Sequence, residues 1–136
     1  MGLPTCVLVG LDTSAESMAA LDWSIGLAGV LGARVVAVHA VGLLEGAGLK
    51  DHPDLVALVR DAQERVGVDS TRVTVDLVEE PGSPVEALLR VCEREGADLV
   101  VVGSRGLGGT ARQLGSTSEA LACRSPVPVT VLPHGR

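Results

Sequence analysis

The residues that could do chemistry concentrate after two apolar runs. Leu99 to Val102 leads into a stretch where Gly103, Gly106, Gly108, Gly109 and Gly115 remove side chains from five of thirteen positions. Glycines placed this densely let backbone amides approach a bulky anion. The stretch then enters Ser116, Thr117, Ser118 and Glu119, the start of a helix whose unpaired first-turn amides and positive dipole end form an anion site. Ser116 and Glu119 also stand at capping-box spacing, so a helix that caps itself is the competing reading. The phosphate cradle is preferred, because a cap needs one serine and no glycine run. A second segment, Gly10, Leu11 and Asp12, sets a carboxylate at the end of another apolar run.

Other chemistries fit these residues less well. Gly106, Gly108 and Ala111 satisfy the letter of a dinucleotide fingerprint, yet Val127 to Val131 fills the region about 20 residues on where an acid is required. No GxxxxGK[ST] motif occurs, and Lys50 lies far away in a loop. Ser104, Glu119 and His134 follow the order of a hydrolase triad. Val102 occupies the position two before Ser104, however, and no helix begins directly after it. A response-regulator receiver would need a lysine where Pro133 stands. His39, inside an apolar run, reads as a hydrogen-bonded core residue, since no Cys/His cluster has metal spacing.

These segments must be positioned by alternating strands and helices. Cys6 to Leu11 reads as a strand, with Thr13 to Glu16 as a capping box for the helix that follows. Met18, Leu21, Ile25 and Ala28 make that helix's buried stripe, and Gly32 ends it. Arg34 to Val41 is the second strand and Gly42 to Asp51 a loop. A helix runs from about Pro53, with a stripe of Leu55, Leu58, Val59, Ala62 and Val66, to Gly67. Val73, Val75 and Leu77 alternate with polar residues, as in a strand near a sheet edge. Ser83, Pro84 and Glu86 begin a further helix carrying Val85, Leu88, Leu89 and Cys92. Asp98 precedes the strand Leu99 to Val102. A last helix near Thr117 to Arg124 and a strand Val127 to Leu132 complete the pattern.

Five strands alternating with four helices call for right-handed crossovers. The predicted fold is therefore α/β, a doubly wound five-stranded parallel sheet with helices on both faces, Rossmann-like, in one domain over residues 1–136. The pattern allows strand order 2-1-3-4-5 or a relative of it. Ligands of such sheets bind beyond the carboxyl ends of strands at the switch point.

Composition narrows the partners. The 136 residues carry a net charge of −6 and no Phe or Tyr, with one lysine and ten scattered arginines. Neither a basic patch nor an aromatic platform is offered to nucleic acid. Cys6, Cys92 and Cys123 sit in apolar segments and are expected as buried reduced thiols. No apolar run approaches a membrane span and no basic leader precedes one, so a cytoplasmic protein is expected.

The whole chain resembles the universal stress protein family. VLVGLDTSAES is similar to the family's first strand and Asp-bearing loop, and VVAVHAV to its second strand. GADLVVVGSRGLGG and GSTSEALACRSPVPVTVLP resemble its fourth strand, glycine loop, last helix and last strand. ATP-binding members carry Gly, two residues, Gly, nine residues, Gly, then Ser or Thr. Gly103, Gly106, Gly115 and Ser116 match in type, with a second spacer of eight residues, Leu107 to Leu114.

The resemblance implies an adenine-nucleotide site. Asp12 would face the adenine or ribose, Ala40 would offer backbone to the adenine, and Gly103 and Gly106 would approach ribose and phosphates. Ser116 and Thr117 would hold the outer phosphates, with added charge from Arg105. Mg²⁺ would ride on the nucleotide oxygens. It also implies a homodimer joined through Val127 to Leu132, an apolar strand that would otherwise be a bare edge. The function implied is that of an ATP-binding stress-response module. A nucleotide-free dimeric interaction module and a slow ATPase are the alternatives, and no catalytic residue is assigned.

Overall fold

The structure is a computed structural model that describes residues 2–42, 54–67, 72–104 and 115–133. Its elements follow the order β1 (Cys6–Gly10), α1 (Ala15–Leu31), β2 (Arg34–Val41), α2 (Leu55–Val66), β3 (Val75–Pro81), α3 (Pro84–Glu95), β4 (Leu99–Gly103), α4 (Ser116–Arg124) and β5 (Val129–Leu132). All pairings are parallel, in the order β3-β2-β1-β4-β5. The order is a relative of 2-1-3-4-5, and it places β1 in the middle with β2 and β4 on either side. The chain winds outward from β1 through β2 to β3, crosses back to β4 and winds outward again to β5.

Each face of the sheet is sealed by its own helices. Val7, Val9, Val35, Ala37 and Val101 pack against Leu21, Ile25 and Ala28 of α1 and Leu55, Val59 and Ala62 of α2. The alternate residues Leu8, Val36, Val38, Val100 and Val102 pack against Ala87, Leu88 and Val91 of α3 and Leu121 of α4. Val7, Leu8 and Val9 are each fully buried, so β1 is covered on both faces. A continuous apolar run is what such a strand requires.

Helix ends follow their chemistry. Ser83 caps α3 by accepting from the Glu86 N–H at 3.4 Å, with Pro84 opening the helix as predicted. Gly32, Gly67 and Gly96 end α1, α2 and α3 with φ of +72°, +78° and +66°. That left-handed conformation costs glycine no Cβ clash. Asp54 caps α2, accepting from Ala57 N–H at 3.1 Å.

Several boundaries move. The cap of α1 is Ser14, not Thr13; the Ser14 hydroxyl accepts from Ser17 N–H at 3.2 Å, and Thr13 is pushed to φ +67°. β1 stops at Gly10 and β3 begins at Val75 rather than Val73, which is buried just before the strand. β5 begins at Val129 because Ser125 bonds both the N–H and the carbonyl of Val127 in a local turn, and Pro128 has no N–H to donate. β3 lies at an edge, as its alternation foretold. Cys6 and Cys92 are buried thiols whose desolvation raises their pKa, whereas Cys123 faces solvent on α4. The expectation for Cys123 fails because it falls on the outer side of a short helix.

Below the sheet, Asp98 ties β4 to β1. Its carboxylate accepts from the N–H groups of Thr5 and Cys6 at 3.0 to 3.1 Å and from the Thr5 hydroxyl at 3.2 Å. Partial burial pushes its carboxyl upward. The donors outweigh that and hold it below the usual aspartate value. The register set here carries Val7, Leu8 and Val9 alongside Leu99, Val100 and Val101 to the opposite, carboxyl end of the sheet.

Candidate functional site

β1 and β4 are neighbours, yet their outgoing connections leave in opposite directions, α1 toward β2 and α4 toward β5. A crevice opens at such a divergence because no connection crosses it. Gly10, Leu11 and Asp12 leave β1 there, and Gly103 and Ser104 leave β4. Ala40, near the carboxyl end of β2, pairs with Glu80 of β3 and is half-buried against the α3 side of the core. Three of the expected contributors, Asp12, Ala40 and Gly103, thus stand at the ends of three adjacent strands.

The β1 side is a pre-built turn. Leu11 is buried and donates its N–H to the Val38 carbonyl at 2.8 Å, while His39 Nδ1 lies 2.8 Å from the Leu11 oxygen. Asp12 follows, partly exposed. One oxygen of its carboxylate accepts from both the N–H and the hydroxyl of Ser14, and its N–H donates to Ser17 Oγ at 3.2 Å. The start of α1 is therefore satisfied from within.

The β4 side differs. Ser104 donates its N–H to Leu132 of β5 at 2.7 Å, and its carbonyl accepts from Gly115 N–H at 2.6 Å. The buried Ser118 hydroxyl reaches the Ser104 carbonyl at 2.9 Å and the Gly115 carbonyl at 3.1 Å. These bonds bring the first turn of α4 to the carboxyl end of β4. The N-cap is Gly115, and no described side chain caps the helix. Ser116 is exposed and belongs to the first turn, so the self-capped alternative fails: Gly115 occupies the position the serine would need. Thr117 is half-buried beside it.

Gly103 has a packing duty. A Cβ built there would meet Glu16 Cβ at 2.6 Å and the Glu16 carbonyl carbon at 3.0 Å. Its missing side chain admits the first turn of α1 against β4. Close approach is needed here by the protein's own backbone.

Arg105, Gly106 and the eight-residue spacer lie outside the described residues. Of the triad considered above, Ser104 has its N–H engaged by β5 and Glu119 is exposed on α4. His134 lies outside the described residues. His39 is hydrogen-bonded, as expected, but half-buried at the end of β2 rather than in the core. The parts played by Ser14, Ser17 and Ser118 went unread, although the DTSAES and GSTSE spacings hold the signal for side-chain bonds to nearby backbone.

The family model described as the universal stress protein family matches residues 6–133. The chain belongs to the universal stress protein family. Universal stress protein Rv1636 of Mycobacterium tuberculosis is 33% identical over 140 aligned positions, covering 93% of this chain and 94% of the relative. A solved universal stress protein in complex with cAMP superposes with a TM-score of 0.75 at 27% identity, covering 98% of this chain and 100% of the other. UspA of Lactobacillus plantarum shares the fold with a TM-score of 0.73 at 21% identity, over 94% and 97% of the two chains.

In this universal stress protein, the family motif divides into two anchored ends. Gly103 is fixed by its packing on Glu16, and Gly115 by its bond to Ser104. The described part of the site offers a helix start, capped by no described side chain, at the carboxyl end of β4 and a carboxylate-bearing turn at the end of the adjacent β1. Backbone N–H groups at such a start bind anions, and a neighbouring carboxylate suits hydroxyl or amino donors.

Proposed function

We propose that this universal stress protein binds an adenine nucleotide, ATP in particular, in the crevice at the carboxyl ends of β1 and β4. The observation that carries this reading is the Ser104 to Gly115 hydrogen bond, which holds the first turn of α4, capped by no described side chain, at the carboxyl end of β4. Phosphates would take the amides of Ser116 and Thr117 with Gly103, Arg105, Gly106 and Gly115 around them. Asp12 and Ala40 would serve ribose and base. The solved relative in complex with cAMP supports an adenine ligand. Mg²⁺ would enter on the nucleotide's own oxygens.

The crevice presents no activated nucleophile or general base among its described groups, so the role supported best is sensing or signalling of nucleotide state. We further propose a homodimer joined through β5. Its four residues are each half-buried at an open sheet edge, where a second copy would complete the hydrogen bonding.

Thermal unfolding with ATP, ADP, AMP and cAMP tests the reading. A nucleotide at a hundred times its dissociation constant adds about 2.7 kcal/mol of stability. No shift at millimolar nucleotide overturns it and favours the nucleotide-free interaction module, whose support is the eight-residue spacer. Steady phosphate release would instead establish the slow ATPase.

A further inference from the structure

The end of β2 holds more than a backbone ladder. The β1 to β2 pairing runs as far as Gly10 opposite Val38. Beyond it, Leu11 still has both backbone groups bonded to β2: its N–H donates to the Val38 carbonyl, and its oxygen lies 2.8 Å from His39 Nδ1. A carbonyl has no hydrogen to give, so Nδ1 must carry the proton and donate. By strand alternation His39 follows Val35 and Ala37 onto the α1 and α2 side, where Leu11 is also buried. The imidazole thus extends the sheet by one residue with a side chain.

What it holds is the turn that presents Asp12. Thr13, directly after, sits at φ +67°, a region β-branched residues avoid. Such a turn persists only if both ends are fixed. Ser14 and Ser17 fix the far end through Asp12 and the helix cap. The near end is fixed by β2, and among the described residues His39 supplies a side-chain bond to it.

We infer that His39 is a positioning residue: its Nδ1–H bond to the Leu11 carbonyl sets the Leu11 to Asp12 turn for ligand binding. The binding half of this inference rests on the adenine-nucleotide reading, while the turn-setting half is read without any ligand.

His39→Leu removes the donor and keeps the bulk. His39→Asn restores a donor, because the amide nitrogen stands at the same bond distance from Cβ as Nδ1. Backbone amide exchange at Leu11 and Asp12 is expected to be about five- to tenfold faster in His39→Leu and near the wild-type rate in His39→Asn. Nucleotide affinity measured by calorimetry with ATP is expected to fall about three- to tenfold in His39→Leu and to recover in His39→Asn. In the wild-type chain, long-range proton–nitrogen spectra should show Nδ1 protonated, a readout that needs no substitution.

An imidazole protonated at Nε2 alone overturns the inference. So does unchanged exchange in His39→Leu, or an Asn variant as loose as the Leu variant. If the wild type binds no adenine nucleotide, the proposed function fails while exchange still decides the turn. If it binds and His39→Leu binds equally well, the positioning role fails by itself.

Discussion

Gly115 donates its N–H to the carbonyl of Ser104 across 2.6 Å, so the two ends of the glycine-rich stretch meet where β4 stops and α4 starts. The bond turns a sequence motif into a place. It also leaves Gly115, with φ −66° and ψ 162°, as a helix cap without a side chain in a conformation any residue can adopt.

Gly115→Asp should therefore act in opposite directions on stability and binding. An aspartate cap accepts from first-turn amides and stabilises the free chain by about 0.5 kcal/mol. The same carboxylate occupies the amides a phosphate would use. Thermal melts should show an equal or higher melting temperature without nucleotide and no shift with ATP. A retained shift would place the phosphates elsewhere.

Gly103→Ala should destabilise the chain by roughly 1 to 3 kcal/mol, the cost of forcing a methyl group into packed structure. Its Cβ would fall against Glu16 Cβ and backbone, neither of which can swing aside. Urea unfolding measures the loss. A Gly103→Ala chain as stable as wild type would show that α1 can withdraw from β4. This packing duty of Gly103 was not legible in the sequence, because Glu16 and Gly103 meet only once α1 has packed against β4.

Acid should loosen the tie between β1 and β4. The folded pKa of Asp98 is depressed, so its contribution is present above the unfolded value of about 3.9 and is lost as pH falls through the lower folded value. The urea midpoint should drop steeply below about pH 4 in wild type. In Asp98→Asn the drop should be shallower and the midpoint at neutral pH lower. Parallel profiles for the two chains would remove Asp98 from the acid response.

Val131→Pro should separate the proposed dimer. Pro128 and Leu132 turn their carbonyls to Val100 of β4 and to Ser104 just beyond it. Backbone groups alternate along a strand, so Val129 and Val131 aim theirs outward from the edge. A proline at 131 removes an outward N–H and spares the ladder to β4. Light scattering should report the monomer mass for Val131→Pro and twice that for wild type. A wild-type monomer at micromolar concentration would overturn β5 pairing.

By itself the sequence determined the alternation of strands and helices, the glycine stops at Gly32 and Gly67, the Ser83 and Pro84 helix start and the two segments at the carboxyl ends of β1 and β4. Each is a local matter of periodicity, capping or backbone freedom, which neighbouring residues settle among themselves. Only the tertiary structure decided the order β3-β2-β1-β4-β5, since alternation alone does not say where the winding reverses. It decided too that Ser14 rather than Thr13 caps α1, once Asp12 drew Ser14 into a turn. Above all it decided that α4 begins at a glycine cap held to the carboxyl end of β4, with no described side chain capping it. Ser104, Gly115 and Ser118 had to be brought together through space before the helix start could stand there.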